Sequence, residues 1–134
     1  MKRRLLTAAE IKILKAQNCT AEDWGKIKVS ENFSPDNIIA TSFSGTIYLG
    51  AFKKKIKDSS GRYVQTGIYH ASIHNCTIED DVYIRNISGY IANYHIASNV
   101  YIENIYLSNK KYTNFTTIYC LKLSLFLIDK YINI

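Results

Sequence analysis

The isoleucines in the middle of the chain keep a period that belongs to no helix. They fall at Ile73, Ile78, Ile84, Ile91, Ile96 and Ile102, in steps of five, six, seven, five and six, so the pattern closes every eighteen residues. The stretches TIEDDVYIRNI (77–87) and HIASNVYIENI (95–105) agree at Ile, Val, Tyr, Ile, Asn and Ile and differ elsewhere. Over 73–87 against 91–105, eight of fifteen positions are identical. A helical stripe needs apolar residues three and four apart, and a hairpin gives no reason for the same letters to return at eighteen. Three short strands per cycle, each turning one aliphatic side chain inward, supply that reason. Val82 and Val100 lie two before the third mark and share its face on a strand. Asn75 with Asn93, and Asn86 with Asn104, fall at the corners, where Asn tolerates left-handed backbone angles.

This spacing predicts a mainly β fold: the start of a parallel β-helix, with two eighteen-residue coils over 68–107 and a small N-terminal helical cap. A right-handed coil would need a longer and less even period, so the left-handed, hexapeptide-type solenoid is expected, its hand taken by analogy. In the cap, residues 1–26, Thr7 and Glu10 form a T-x-x-E capping box with Leu6 and Ile11 as its hydrophobic staple. The helix should end near Asn18, and Thr20 with Asp23 resemble a second cap, for a turn holding Trp24. Residues 27–67 carry the short β-type runs IKV, IIATSF and GTIYLG, a turn at Pro35-Asp36-Asn37, and a polar hairpin tip or solvated loop in KKKIKDSSGRY.

Beyond Leu107 the pattern fails. The next inward marks would be 109, 114 and 120, which are Asn, Asn and Cys. Residues 108–134 lack Gly, Ala, Val, Pro and Arg altogether, the vocabulary of AT-rich DNA read without selection. The expectation is a tail derived from a frameshift or early stop; the alternative is a capping segment, TTIYCLKLSLFLI, that covers the last coil. An uncovered end would expose strand edges and invite self-association.

The bulk composition adds little. With 134 residues, 47% of them hydrophobic and 21% charged, one globular domain is expected. The net charge of +6 is concentrated at Lys2, Arg3, Arg4 and in Lys53, Lys54, Lys55 and Lys57, whereas the repeat is acidic. Solvated runs explain this distribution better than a nucleic-acid surface, and a nucleic-acid partner is disfavoured. Cys19, Cys76 and Cys120 are too scattered for a disulfide framework or a paired zinc motif, which fits a reduced, cytoplasmic setting. The apolar stretch of MKRRLLTAAE is too short for a signal peptide, LKLSLFLI is too short to span a bilayer, and no membrane partner is expected.

The segments LTAAEIKILKAQNCTAEDW (6–24), FSGTIYLG (43–50), GIYHASIHNCTI (67–78), YIANYHI (90–96) and YIENI (101–105) carry a likeness. Over residues 5–107 the chain resembles the amino-terminal part of a family of long left-handed β-helix proteins. That family is common in Bacteroides-type bacteria and is classed as a domain of unknown function. Its coils are similar to those of hexapeptide-repeat acyltransferases and of sugar-nucleotide pyrophosphorylases. The resemblance implies an acyl- or nucleotide-sugar-transferase-like protein of which this chain is an amino-terminal fragment, inactive by itself. The alternative is a non-catalytic solenoid scaffold or carbohydrate-binding module. A sugar or nucleotide-sugar ligand is common to the transferase and carbohydrate-binding readings.

Residue chemistry offers few candidates. His70, His74 and Cys76 are ligand-like in spacing, but zinc asks for a fourth donor or a water, and Cys76 sits two before an inward Ile; a metal site is the weaker reading, and no cofactor is expected. His70, His74 and His95 are the candidates for a general base, against the plainer reading of solvent-facing strand residues. Glu79, Asp80 and Asp81 could hold a hard cation, yet the second repeat has Ala97, Ser98 and Asn99 there, so a solvated corner is preferred. Tyr83 and Tyr101 are expected to form an outward aromatic ladder between neighbouring strands.

Overall fold

The computed structural model describes residues 2–58 and 60–104, and the backbone of 106–107, 116–118 and 122–123. The N-terminal helix forms as its sequence dictates. Thr7 Oγ1 accepts from the Glu10 amide at 3.1 Å, the Glu10 carboxylate accepts from the Thr7 amide at 2.9 Å, and the helix runs over Ala8–Ala16. Gln17 closes it and Asn18 takes the left-handed conformation just beyond, with φ of 63°. Asp23 caps a single 3-10 turn, Trp24–Lys26. Thr20 does not cap: it opens the strand Thr20–Ala21, its hydroxyl donating to Ser42 Oγ.

The rest is mainly β. A six-stranded sheet runs in the order Arg3–Leu5, Ile27–Ser30, Ile47–Leu49, Thr77–Ile78, Tyr94–Ile96, Thr116–Ile118. A five-stranded sheet orders Lys122–Leu123, Tyr101–Glu103, Tyr83–Arg85, Gly67–Tyr69, Ile38–Ile39. A four-stranded sheet orders Ile91–Ala92, Ser72–His74, Ser42–Ser44, Thr20–Ala21. Two small pairs complete the set: Ser88–Gly89 with Tyr106–Leu107, and the antiparallel hairpin Lys55–Lys57 with Tyr63–Gln65.

The expected single left-handed parallel β-helix is corrected by this arrangement. The strands fall into separate sheets, and pairing is mixed, because Arg3–Leu5 joins Ile27–Ser30 antiparallel and the hairpin is antiparallel too. The even hexapeptide period also fails outside the two segments that revealed it. Ile73 with Ile91, Ile78 with Ile96, and Ile84 with Ile102 pair at eighteen residues. By contrast, Ile68 pairs with Ile84 at sixteen, Val29 with Leu49 at twenty, Ala21 with Phe43 at twenty-two and Ile38 with Ile68 at thirty. The physical reason lies in the short strands and their corners. Among the described residues Asn18, His70, Asn75, Asp81, Asn86, Asn93, Asn99 and Asn104 have positive φ, which turns the chain out of one sheet before the ladder can continue. A corner fixes the direction of the chain without fixing how many residues precede the next strand.

One core serves all three large sheets. Ile73, Ile78, Ile84, Ile91, Ile96 and Ile102 are buried, as are Val82 and Val100, and they share a cluster with Leu14, Ile27, Ile38, Ile47 and Ile68. Burying each such aliphatic side chain contributes about 1.5–3 kcal/mol. The strand Arg3–Leu5 was not expected in a helical cap. Its backbone covers the edge of Ile27–Ser30, and its charged side chains occupy that margin, a usual protection of sheet edges. Arg4 grips the Glu10 carboxylate through two bonds of 2.8 Å, while Arg3 lies 4.3 Å over the Tyr48 ring. The reading of residues 108–134 as frameshift-derived, with inward marks at 109, 114 and 120, concerns side chains outside the described residues.

Candidate functional site

The adjacent strands Gly67–Tyr69 and Tyr83–Arg85 place Tyr83 beside Gly67 and Arg85 beside Tyr69. Gly67 adopts φ of 155°, and a Cβ there would meet the Asn37 carbonyl, so the backbone at this point accepts little but glycine. With no side chain at 67, the rings of Tyr69 and Tyr83 approach to 5.8 Å at a 48° tilt. Tyr83 also stacks on Tyr101, at 4.9 Å and 14°. Both stacked rings are buried, at 3% and 4% exposure, yet lie outside the aliphatic core cluster, so the expected outward ladder is covered rather than solvent-facing, with only its flank beside open space.

That flank opens into a cavity of about 390 Å³ lined by Ile39, Val64, Gln65, Tyr69, His70, Tyr83 and Arg85. The size lies in the lower part of the ordinary range for ligand pockets, about 300–1,000 Å³. Val64 and Gln65 come from the hairpin, which is anchored firmly: Thr66 Oγ1 donates to the Lys54 carbonyl at 2.7 Å, and the Lys53 and Lys54 amides donate to Asp81 Oδ1 at 2.9 Å. The Tyr69 hydroxyl donates to the Gln65 carbonyl at 3.0 Å, which fixes its ring. Burial, with the neighbouring Tyr83, raises the Tyr69 phenol above its usual value, and Arg85 opposes this. The Gln65 amide nitrogen donates to the carbonyls of Phe52 and Lys54. Arg85 rests against the Tyr83 hydroxyl, which raises its already high pKa, and makes no ion pair among the described residues.

The candidates from the sequence are scattered by comparison. His70 lines the cavity from a left-handed corner with φ of 57°. His74 lies elsewhere, with Nδ1 on Ser44 Oγ at 2.8 Å and Nε2 on Asn75 Nδ2 at 3.0 Å. Cys76 is a core residue whose thiol donates to the carbonyls of His74 and Ile91, and burial pushes its pKa to about 11. His95 lies on the six-stranded sheet, donating to Glu79 Oε1 at 3.1 Å, with Arg3 on the same oxygen at 3.5 Å. The acidic corner is engaged rather than solvated. Asp80 Oδ1 accepts from the Ala51 amide at 2.8 Å and Asp81 holds the hairpin base. Among the described residues no group of three or more His, Cys, Asp or Glu is placed to hold a metal ion.

The sequence reading reached His70 and Tyr83 but missed Ile39, Val64, Gln65, Tyr69 and Arg85. They lie on four segments and form no motif; the nearest signal is the aromatic-basic pattern Tyr83-x-Arg85, ordinary on any strand. Among the described residues no helix is long and apolar enough to cross a membrane. No curated protein and no solved structure matches the chain. A family model does: residues 3–122 match the one described as Domain of unknown function (DUF4954), a span that runs past Leu107, and the chain belongs to that family.

Proposed function

We propose that this chain is a non-catalytic binding module for a sugar or a nucleotide-sugar. The observation that carries the reading is the cavity beside the tyrosine stack. Its aromatic surface at half-buried Tyr69, backed by the buried Tyr83 ring, suits the C–H face of a sugar ring, while Gln65, His70 and Arg85 supply hydrogen-bonding groups at its margin. The rigidity of the Tyr69 ring reduces the entropy lost when a ligand settles on it. Transfer chemistry in the longer family members is a separate reading, favoured by the presence of His70 in the lining. A general base is ordinarily held by an orienting partner; His95 has one in Glu79 but lies on another sheet, and His70 makes no such bond among the described residues. Binding without turnover is therefore the reading supported best.

The test is ligand-observed NMR and calorimetry with hexoses, hexosamines, uronates and nucleotide-sugars. Binding is expected in the millimolar range, about −4 kcal/mol. Tyr69→Ala should weaken it at least several-fold, whereas Tyr69→Phe, which keeps the ring and loses only the bond that steadies it, should weaken it less. Saturable binding that ignores Tyr69→Ala, or no binding by any of these sugars, would overturn the proposal.

A further inference from the structure

Resting on that reading, we infer that the ligand is an anionic sugar, carrying a carboxylate or a phosphate that Arg85 receives while the ring lies against Tyr69. The cavity lining contains one cation and no carboxylate. Arg85 is exposed, and the described ion pairs all involve other residues. The acid in register beside it, Glu103, attracts the guanidinium without forming an ion pair with it, and accepts from Asn104 Nδ2 at 3.3 Å at the strand corner. The guanidinium is steadied by the Tyr83 hydroxyl and keeps further N–H groups for a second partner. A planar fork of donors at the edge of an aromatic surface matches a carboxylate or phosphate two bonds at a time, and a lysine there would match it only as a point charge. His70 lies on the same lining and can donate a further N–H. The alternative, a neutral sugar, leaves the guanidinium with the attraction of Glu103 but no direct ion pair among the described residues, and asks the site for no arginine.

The experiment compares glucose, glucuronate and glucose 1-phosphate by calorimetry on the full chain, with inorganic phosphate alone as a control, at low and at physiological salt. Both anionic sugars should bind about tenfold more tightly than glucose, a margin of about 1.4 kcal/mol, and the margin should shrink as salt rises. Arg85→Gln should erase the margin, lowering the affinity for the anionic sugars far more than that for glucose, and Arg85→Lys should retain part of it. A preference for only one anionic sugar would still support the inference and would identify the group recognised. Equal affinity for all three sugars would overturn the anionic assignment and leave the sugar-binding reading standing. A margin that survives Arg85→Gln, or inorganic phosphate binding as tightly as the phosphosugar, would overturn the role given to Arg85 and Tyr69 together. No binding by any sugar would overturn both readings. Because Arg85 is exposed, both variants should keep the far-ultraviolet spectrum of the parent.

Discussion

Replacing Glu10 tests how much of the N-terminal helix depends on one carboxylate. Glu10 does two jobs: it completes the capping box with Thr7 and receives both arms of Arg4 at 2.8 Å. The Arg4 hydrogen bonds are the largest cause holding its pKa down, from an ordinary 4.5 to about 2, with the Thr7 amide assisting against the cost of burial. Taken whole, that depression corresponds to about 3 kcal/mol. The Arg4 side chain is 33% exposed, so water screens the pair, and about 1–2 kcal/mol is the expected net contribution. The cap alone is worth about 1 kcal/mol by the usual measure, consistent with this. Since the folded-state pKa is the lower one, the contribution is fully present above about pH 4.5 and is lost as pH falls through about 2. Thermal unfolding followed by circular dichroism should therefore place Glu10→Gln about 4–8 °C below the parent at pH 7. The two should converge as the pH approaches 2. Equal melting temperatures at pH 7, or a gap that stays constant from pH 6 to pH 2, would refute the reasoning.

Three further outcomes are expected. Ile84→Ala, at a fully buried position between Ile68 and Ile102, should cost about 2–5 kcal/mol in urea unfolding, more than any exposed substitution on the same strand. Tyr101→Phe should be neutral or stabilising by up to about 1 kcal/mol in the same assay, because the buried Tyr101 hydroxyl has no hydrogen-bond partner among the described residues. Cys19 and Cys76, both buried and with thiols pushed above their usual pKa, should resist alkylation at pH 8 in the folded protein and react after denaturation, as read by site-resolved mass spectrometry.

Local chemistry was legible where one residue type had one reason to be present. The Thr7–Glu10 box, the buried isoleucines and the left-handed asparagines follow from capping, burial and backbone sterics that act within a few residues. What could not be read was how far that order extends. Two matched segments implied a uniform eighteen-residue coil, but register elsewhere is set by insertions between corners, and a repeat seen twice carries no information about them. Arg3–Leu5 was opaque for another reason. Its basic side chains read as a solvated run, whereas its place in the sheet comes from backbone pairing with Ile27–Ser30, which leaves no mark on composition. The cavity was hidden because its walls come from segments up to some forty-five residues apart, and each lining residue looks ordinary where it stands.

The hairpin at 55–65 stands apart from this economy. The strands Ile38–Ile39 and Gly67–Tyr69 pair across it as though it were not there, and Asp81 closes its base by accepting from two backbone amides. Its tip, where Asp58 accepts from the amides of Ser60 and Arg62, owes nothing to the core. Yet it contributes Val64 and Gln65 to the cavity wall. Length and sequence can therefore drift in this excursion with the barest effect on folding while the shape of the cavity is remade. If the chain is the binding module proposed, heritable variation has in it a place to alter ligand choice that selection for a stable core leaves largely unpoliced.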